Sequence, residues 1–323
     1  MERRIPEAGH VVTRNDLELL LAGIERTIGD PQAGIFGPES MTWRIDREAA
    51  LFLGAGRAAL LQLAHPWVAV ALDQHSSVMA NPIARFHNTF RIVFTMNFGT
   101  VDQAFAAARS LHTMHTTIRG ALPSPVAGYS QGSLYEANTL SALRWVYATL
   151  FDSALLAYEC VLPPLTDAER DAYYVESRVL AGLFGIPREA LPQDWGAFRG
   201  YVEAMCRSEE LGVDERSRVM AKRILAGAGS WVKPPRWYQA LTVAWMPDRF
   251  REEFGLPYGA GEARSVERTK HWLPRVYRRM PQRVRSVGPY LEACARRAGH
   301  GPGWVTRLSN RFWMGEARMP FGE

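Results

Sequence analysis

Apolar residues recur at every third or fourth position along most of the chain, a spacing typical of α-helices packed on one face. No segment has the alternating β-branched pattern of paired strands, so the expected fold class is all-α, a single large multi-helix domain. Helices are predicted over residues 16–28, 46–75, 82–99, 101–120, 195–208, 216–225 and 235–245, with others beginning near Thr139 and Thr166 and in the C-terminal region.

Local signals set several of these helix ends. Pro66 should break the long pattern over residues 46–75, because proline removes a backbone donor and clashes with the preceding turn. Asn81 followed by Pro82 is a typical helix start. Thr166 with Glu169 three residues later predicts a capping box.

Composition narrows the class of protein further. The chain of 323 residues is 47% apolar and 22% charged, as in globular proteins. Its three cysteines are scattered, which excludes a cysteine metal cluster and indicates a reducing compartment. We expect a soluble, cytoplasmic protein, because neither a signal peptide nor an apolar run of about 18 residues is visible.

The net charge of +5 is concentrated near the C-terminus, where arginines far outnumber acidic residues. We therefore predict an N-terminal extension (1–40), a helical domain (41–260) and a basic helical tail packed on that domain (261–323). A basic segment with interspersed aromatic residues can contact an anionic membrane or nucleic acid. Paired arginines and frequent prolines favour a solvated face instead; we expect no nucleic-acid partner and keep peripheral membrane contact as the alternative.

A glycine pattern near residue 54 has two interpretations. Gly54, Gly56 and Ala59 match the dinucleotide-binding spacing. That motif requires a strand-to-helix junction in a parallel sheet, and no later segment supplies the other strands. We expect the glycines to let two helices approach closely.

Two histidines lie one turn apart on the helix predicted over residues 101–120. His115 falls within the apolar stripe and His112 at its edge, while Arg119 follows one turn later. The pattern alone favours buried structural histidines. The functional alternative is an imidazole presented to an iron in a dry cleft between helices. The stripe consists of Val101, Ala104, Phe105, Ala108, Leu111, His115 and Ile118.

The helix predicted over residues 82–99 is apolar on two sides, which indicates a central position and makes Arg85, aligned with Thr89, a buried cation. A buried guanidinium needs an anionic or polar partner, either an internal carboxylate or a cofactor carboxylate or oxygen species. His65 and His75 add imidazoles in an apolar neighbourhood. A three-histidine zinc site is conceivable, but no HExxH motif supports it.

Several segments in order resemble one family, which groups the fungal mycophenolic-acid pathway oxygenase MpaB with the bacterial latex-clearing rubber oxygenases. The similarity extends over about residues 43–257. It is carried by residues 56–66, His75-Ser76, Pro82 with Arg85 and Thr89, residues 115–120, residues 143–149, and Leu191-Pro192 to Trp195.

This resemblance implies an all-α fold enclosing haem b, with His115 as the axial ligand of the iron. It also implies that Arg85 and Thr89 are polar residues above the haem and that Arg119 lies near the ligand helix. Asn88 stands where the rubber enzymes have a lysine, and their distal glutamate has no match here. Three further histidines are expected near the cofactor or as alternative ligands: His65, His75 and His112.

The expected function is a haem b-dependent oxygenase that uses dioxygen on a hydrophobic small molecule, since characterised relatives cleave double bonds of isoprenoid chains. Arg85, Thr89 and Asn88 would form the catalytic polar set. The alternatives are a non-catalytic haem-binding or oxygen-sensing protein with the same pocket, and a haem-free helical protein that binds an apolar ligand. A zinc hydrolase ranks last.

Overall fold

The computed structural model of the chain describes residues 9–75, 82–228 and 233–321. These residues form sixteen α-helices and one two-stranded sheet, so the predicted all-α class is confirmed. The helices are α1 Arg14–Glu25, α2 Met41–Asp46, α3 Ala55–Leu63, α4 Pro66–His75, α5 Pro82–Phe98, α6 Val101–Thr116, α7 Leu140–Val161, α8 Asp167–Leu183, α9 Trp195–Arg207, α10 Glu215–Leu225, α11 Arg236–Ala244, α12 Asp248–Glu253, α13 Ala260–Arg279, α14 Gln282–Arg285, α15 Gly288–Arg297 and α16 Trp304–Met314.

Helix α7 lies at the centre of the main core. Its apolar residues point in every direction, and a helix that is apolar all round must be buried on all sides. It packs against α3, α8, α13 and the 3-10 helix Ala49–Gly54. The Trp145 indole, fully buried, donates a hydrogen bond to the Leu61 carbonyl at 2.9 Å, which ties α7 to α3.

The glycines near residue 54 serve helix packing, as predicted. A Cβ at Gly54 would meet the backbone carbonyl of Ser153 on α7. A Cβ at Gly56 would lie 2.9 Å from the Thr242 hydroxyl on α11, and the Gly56 amide donates to the Tyr238 hydroxyl at 3.1 Å. Both glycines allow close approach between segments.

Most of the predicted helix ends are confirmed within a few residues. The Thr166 hydroxyl accepts from the Glu169 amide at 3.2 Å, and the Glu169 carboxylate accepts from the Thr166 amide at 2.8 Å, which completes the capping box. The long pattern breaks before Pro66, where α3 ends and α4 begins. Asn81 lies outside the described residues.

Two expectations about the segment after α6 were wrong. The helix ends at Thr116 instead of residue 120, and a short strand β1 (Arg119–Ala121) pairs antiparallel with β2 (Leu134–Glu136). The Ile118 carbonyl already accepts from the Ala137 amide at 2.9 Å, so pairing across the hairpin replaces the next helical turn. Strands of three residues are too short to show a two-residue period in sequence.

The two ends of the chain both contact the central helices. Helix α1 packs on α6 and α8, while α13 packs on α7 and α16 packs on α5. The division into extension, helical domain and basic tail stays a prediction. Among the helices of the described ranges, none combines the length and the apolarity needed to cross a membrane.

Candidate functional site

Helices α5 and α6 form a hairpin that brings Arg85 and His115 to the same end. The two helices are joined by a tight turn at Gly99-Thr100 and pack side by side. Thr100 caps α6 through a capping box with Gln103, so the chain reverses without further residues. Arg85 precedes this turn by nearly as many residues as His115 follows it, and the hairpin therefore aligns the start of α5 with the last turn of α6.

The electrostatics of His115 agree with this alignment. Burial is the largest cause that lowers the pKa of His115, to about 4, and the nearby cation of Arg85 and the neighbouring His112 act in the same direction. The imidazole is therefore neutral at neutral pH. A neutral imidazole keeps a nitrogen lone pair that can bind a metal.

Arg85 and Thr89 on α5 and His115 on α6 lie at the same end of this hairpin, which we call the α5–α6 site. All three side chains are half-buried and thus partly accessible to solvent. Burial nevertheless lowers the pKa of both Arg85 and His115, which means that protein atoms crowd around each charged or polar group. Partial access combined with desolvation distinguishes these side chains from fully solvated ones on an open surface.

Asn138 lies beside the His115 ring. Its side chain is buried, acts against the effect of burial by raising the pKa of His115, and donates through Nδ2 to the His112 carbonyl at 3.2 Å. The Asn138 carbonyl accepts from the Val12 amide at 2.9 Å, so the residue is fixed from two sides. Sequence reasoning missed Asn138: it lies two residues before the start of α7, next to the N-cap Thr139, and an asparagine there indicates only a helix start.

The relative burial of the two histidines differs from the sequence expectation. His112 is the buried one, and its Nε2 lies 3.0 Å from the Val12 carbonyl; His115 is half-buried. The reason is that α6 is covered on a second side by the segment preceding α1, which the stripe of apolar residues on α6 does not reveal. His112 thus supports the Val12 segment, while His115 belongs to the α5–α6 site.

The other residues expected at the site are spread around it. Thr89 follows Arg85 by one turn on α5, whereas Asn88 is exposed. Arg119 is exposed in β1 and does not continue α6 beyond His115, because the helix has ended. The roles of these residues stay predictions.

His75 lies at the end of α4 and is tied to the hairpin of β1 and β2. Its Nε2 is 3.1 Å from the Tyr135 hydroxyl, which in turn donates to Gln74 Oε1 at 2.7 Å. A Cβ at Gly120 would lie 2.8 Å from that hydroxyl, so the glycine permits the contact. The cluster fixes α4 against the segment that follows α6.

His65 occupies a separate, fully buried position at the break between α3 and α4. Its ring lies 5.8 Å from Trp67 and 6.0 Å from Tyr129, centre to centre. Neither ring nitrogen has a hydrogen-bond partner within the described residues. Burial lowers the pKa of His65 to about 4, so the ring is neutral in the folded protein.

His65 should make the protein sensitive to mild acid. Since the folded pKa of about 4 lies below the ordinary value of 6.5, the unfolded chain binds the proton first as the pH falls. Between pH 7 and pH 5 this one group should cost about 2 kcal/mol of stability. The free energy of unfolding, measured with urea, should fall from pH 7 to pH 5 in the wild type. In His65→Leu this fall should be smaller by about 2 kcal/mol. The exposed His271→Leu is the control, and equal losses in wild type and His65→Leu would contradict the assignment.

A metal cluster of protein side chains is not seen in the part of the chain that the structure describes. No group of three or more His, Cys, Asp or Glu residues there is arranged to hold a metal ion. The three-histidine zinc site considered from the sequence is therefore without a candidate among these residues.

Comparison with known families identifies the domain that contains the α5–α6 site. The family described as ER-bound oxygenase mpaB/B'/Rubber oxygenase, catalytic domain, matches residues 42–279, which include α5, α6 and Asn138. Comparisons with curated proteins and with solved structures gave no match. Because the family match covers most of the chain, the protein belongs to the mpaB and rubber-oxygenase family of oxygenase catalytic domains.

Proposed function

We propose that the protein is a haem b-dependent oxygenase that uses dioxygen to oxidise a hydrophobic substrate of the isoprenoid or lipid-like kind. The observation that carries this proposal is the neutral His115 imidazole, which lies close to Arg85 and Asn138 in an oxygenase domain. Such an imidazole is the usual protein ligand of a haem iron in helical folds.

The donor chemistry of the α5–α6 site suits a haem. His115 would hold the iron through one ring nitrogen, and Asn138 beside it would set the orientation of the ring. One protein ligand suffices, because the porphyrin nitrogens supply the others, so no cluster of metal-binding side chains is needed. Bound haem supplies the redox chemistry by which dioxygen is activated.

Arg85 and Thr89 are the proposed polar groups of the reaction. Both side chains can donate hydrogen bonds, and the guanidinium, in a desolvated position, interacts more strongly with an anion than it would in water. We propose that they bind dioxygen or a haem carboxylate, with Asn88 at the exposed edge. Arg119, His112, His75 and His65 are proposed as supporting residues, since His112 and His75 each brace a neighbouring segment.

Aromatic side chains on the other side of α5 support a hydrophobic substrate. Phe86 and Phe90 lie 5.5 and 4.4 Å from Phe52, centre to centre, and Trp313 lies 4.0 Å from the same ring. All four side chains are half-buried rather than sealed in the core. A partly accessible aromatic layer next to the helix of Arg85 suits an apolar molecule.

The proposal is tested by producing the protein with a haem precursor and recording its absorption spectrum and its oxygen uptake. A Soret band together with oxygen consumption on a panel of polyisoprenoids and unsaturated lipids is the expected result. A Soret band without uptake on any of them would favour the haem-binding or oxygen-sensing alternative. Colourless protein would overturn the haem assignment and favour a haem-free ligand-binding protein.

A further inference from the structure

Helix α16 presents large apolar side chains to solvent. Trp304 is 78% exposed, Leu308 61% and Phe312 56%, and Val305 is 53% exposed beside them. These four residues, which we call the α16 surface, stand on one helix of eleven residues. Monomeric proteins rarely expose so many large apolar side chains in one patch without a function.

The α16 surface is not needed for packing within the chain. Trp304, Leu308 and Phe312 follow one another at four-residue spacing and therefore share one side of the helix. The opposite side, with Asn310 and Met314, is buried against the rest of the protein. Helix α16 is thus apolar on the exposed side as well as on the packed side.

The charged side chains of helix α16 are all positive. Arg307 and Arg311 are exposed and flank the apolar side, and no Asp or Glu occurs between Trp304 and Met314. An exposed apolar strip with tryptophan at one end and arginines along its border is the arrangement that helices use to lie in the headgroup region of an anionic bilayer.

The α16 surface also lies close to the aromatic layer formed by Phe52, Phe86, Phe90 and Trp313. The Phe312 carbonyl is 3.1 Å from Nε2 of His87 on α5, and the Trp313 ring is 6.3 Å from that of Phe86. Phe312 and Trp313 are adjacent, so one points to solvent while the other joins the aromatic layer. A single helix therefore separates solvent from the half-buried aromatic rings.

We infer that the α16 surface docks on a bilayer that contains anionic phospholipid, with the apolar side chains in the interface and Arg307 and Arg311 on the phosphates. A second copy of the chain fits less well, because a two-fold contact through α16 would bring the same arginines together with no acidic residue of α16 to pair them. This docking does not depend on haem. For the proposed oxygenase it would let a lipid-like substrate enter from the membrane.

The test is co-sedimentation of the purified protein with vesicles of phosphatidylcholine, with and without phosphatidylglycerol. Wild-type protein should bind the vesicles that contain phosphatidylglycerol and bind pure phosphatidylcholine at least about tenfold more weakly. The double variant Leu308→Ser/Phe312→Ser should lose binding by more than about tenfold, since two large apolar side chains no longer enter the interface. Arg307→Gln/Arg311→Gln should lose the preference for the anionic lipid.

Two control variants replace exposed apolar or basic side chains outside α16. Leu19→Ser/Leu134→Ser replaces exposed leucines on α1 and β2, and Arg199→Gln/Arg207→Gln replaces exposed arginines on α9; both should bind like the wild type. Circular dichroism checks that every variant is folded. Equal binding of wild type and the α16 variants would overturn the inference. So would a wild-type dimer that Leu308→Ser/Phe312→Ser converts to monomer, because the occupant would then be a second copy.

Discussion

Replacing His115 by alanine is expected to abolish haem retention, so that the purified variant lacks the Soret band of the wild type. The reason is that His115 is the neutral imidazole proposed as the ligand, and alanine offers no lone pair in its place. The measurement is the ratio of Soret to protein absorbance after equal haem supply, together with iron content. Alanine at a half-buried position should leave the helical circular dichroism unchanged.

Two companion variants separate the ligand from its surroundings. His75→Ala removes an imidazole that contacts Tyr135 and is not part of the α5–α6 site. This variant should keep the Soret band. Asn138→Ala should keep haem but shift the spectrum or weaken retention, because the ring of His115 loses the neighbouring polar side chain that is proposed to orient it. A His115→Ala protein with the wild-type spectrum would refute the ligand assignment.

The helical fold could be predicted because it follows from local rules. Apolar periodicity gave the helices, and the start signals at Pro82 and Thr166 are properties of a few consecutive residues. Arg85 and His115 were linked beforehand only by the family resemblance, and the hairpin of α5 and α6 that aligns them is a finding of the structure.

What the sequence could not show depends on contacts between distant segments. The burial of His112 comes from the Val12 segment, about 100 residues earlier in the chain, and the early end of α6 comes from pairing with β2. The proximity of Asn138 to His115 likewise joins residues on different elements. Periodicity describes one element at a time, and so it misses each of these.

Gly54→Ala is expected to lower the free energy of unfolding by about 3 kcal/mol. The reason is the close packing of α7 against the 3-10 helix Ala49–Gly54. The backbone of Gly54 has φ of −78°, which alanine adopts freely, so the cost is not conformational. The new methyl group would instead meet the Ser153 carbonyl oxygen and lie 2.8 Å from its carbon. Backbone atoms of a central helix cannot rotate away as a side chain can, and α7 would have to shift.

A second glycine substitution gives the opposite sign and so isolates the packing effect. Gly200 is exposed within α9, and a Cβ there would meet nothing within 4 Å. Gly200→Ala should therefore stabilise the protein by up to about 1 kcal/mol, because alanine loses less backbone entropy in a helix. Both free energies come from urea unfolding at neutral pH. If Gly54→Ala unfolded at the same urea concentration as Gly200→Ala, the close approach between Gly54 and Ser153 would not constrain the fold. The interpretation that these glycines serve helix packing would then be wrong.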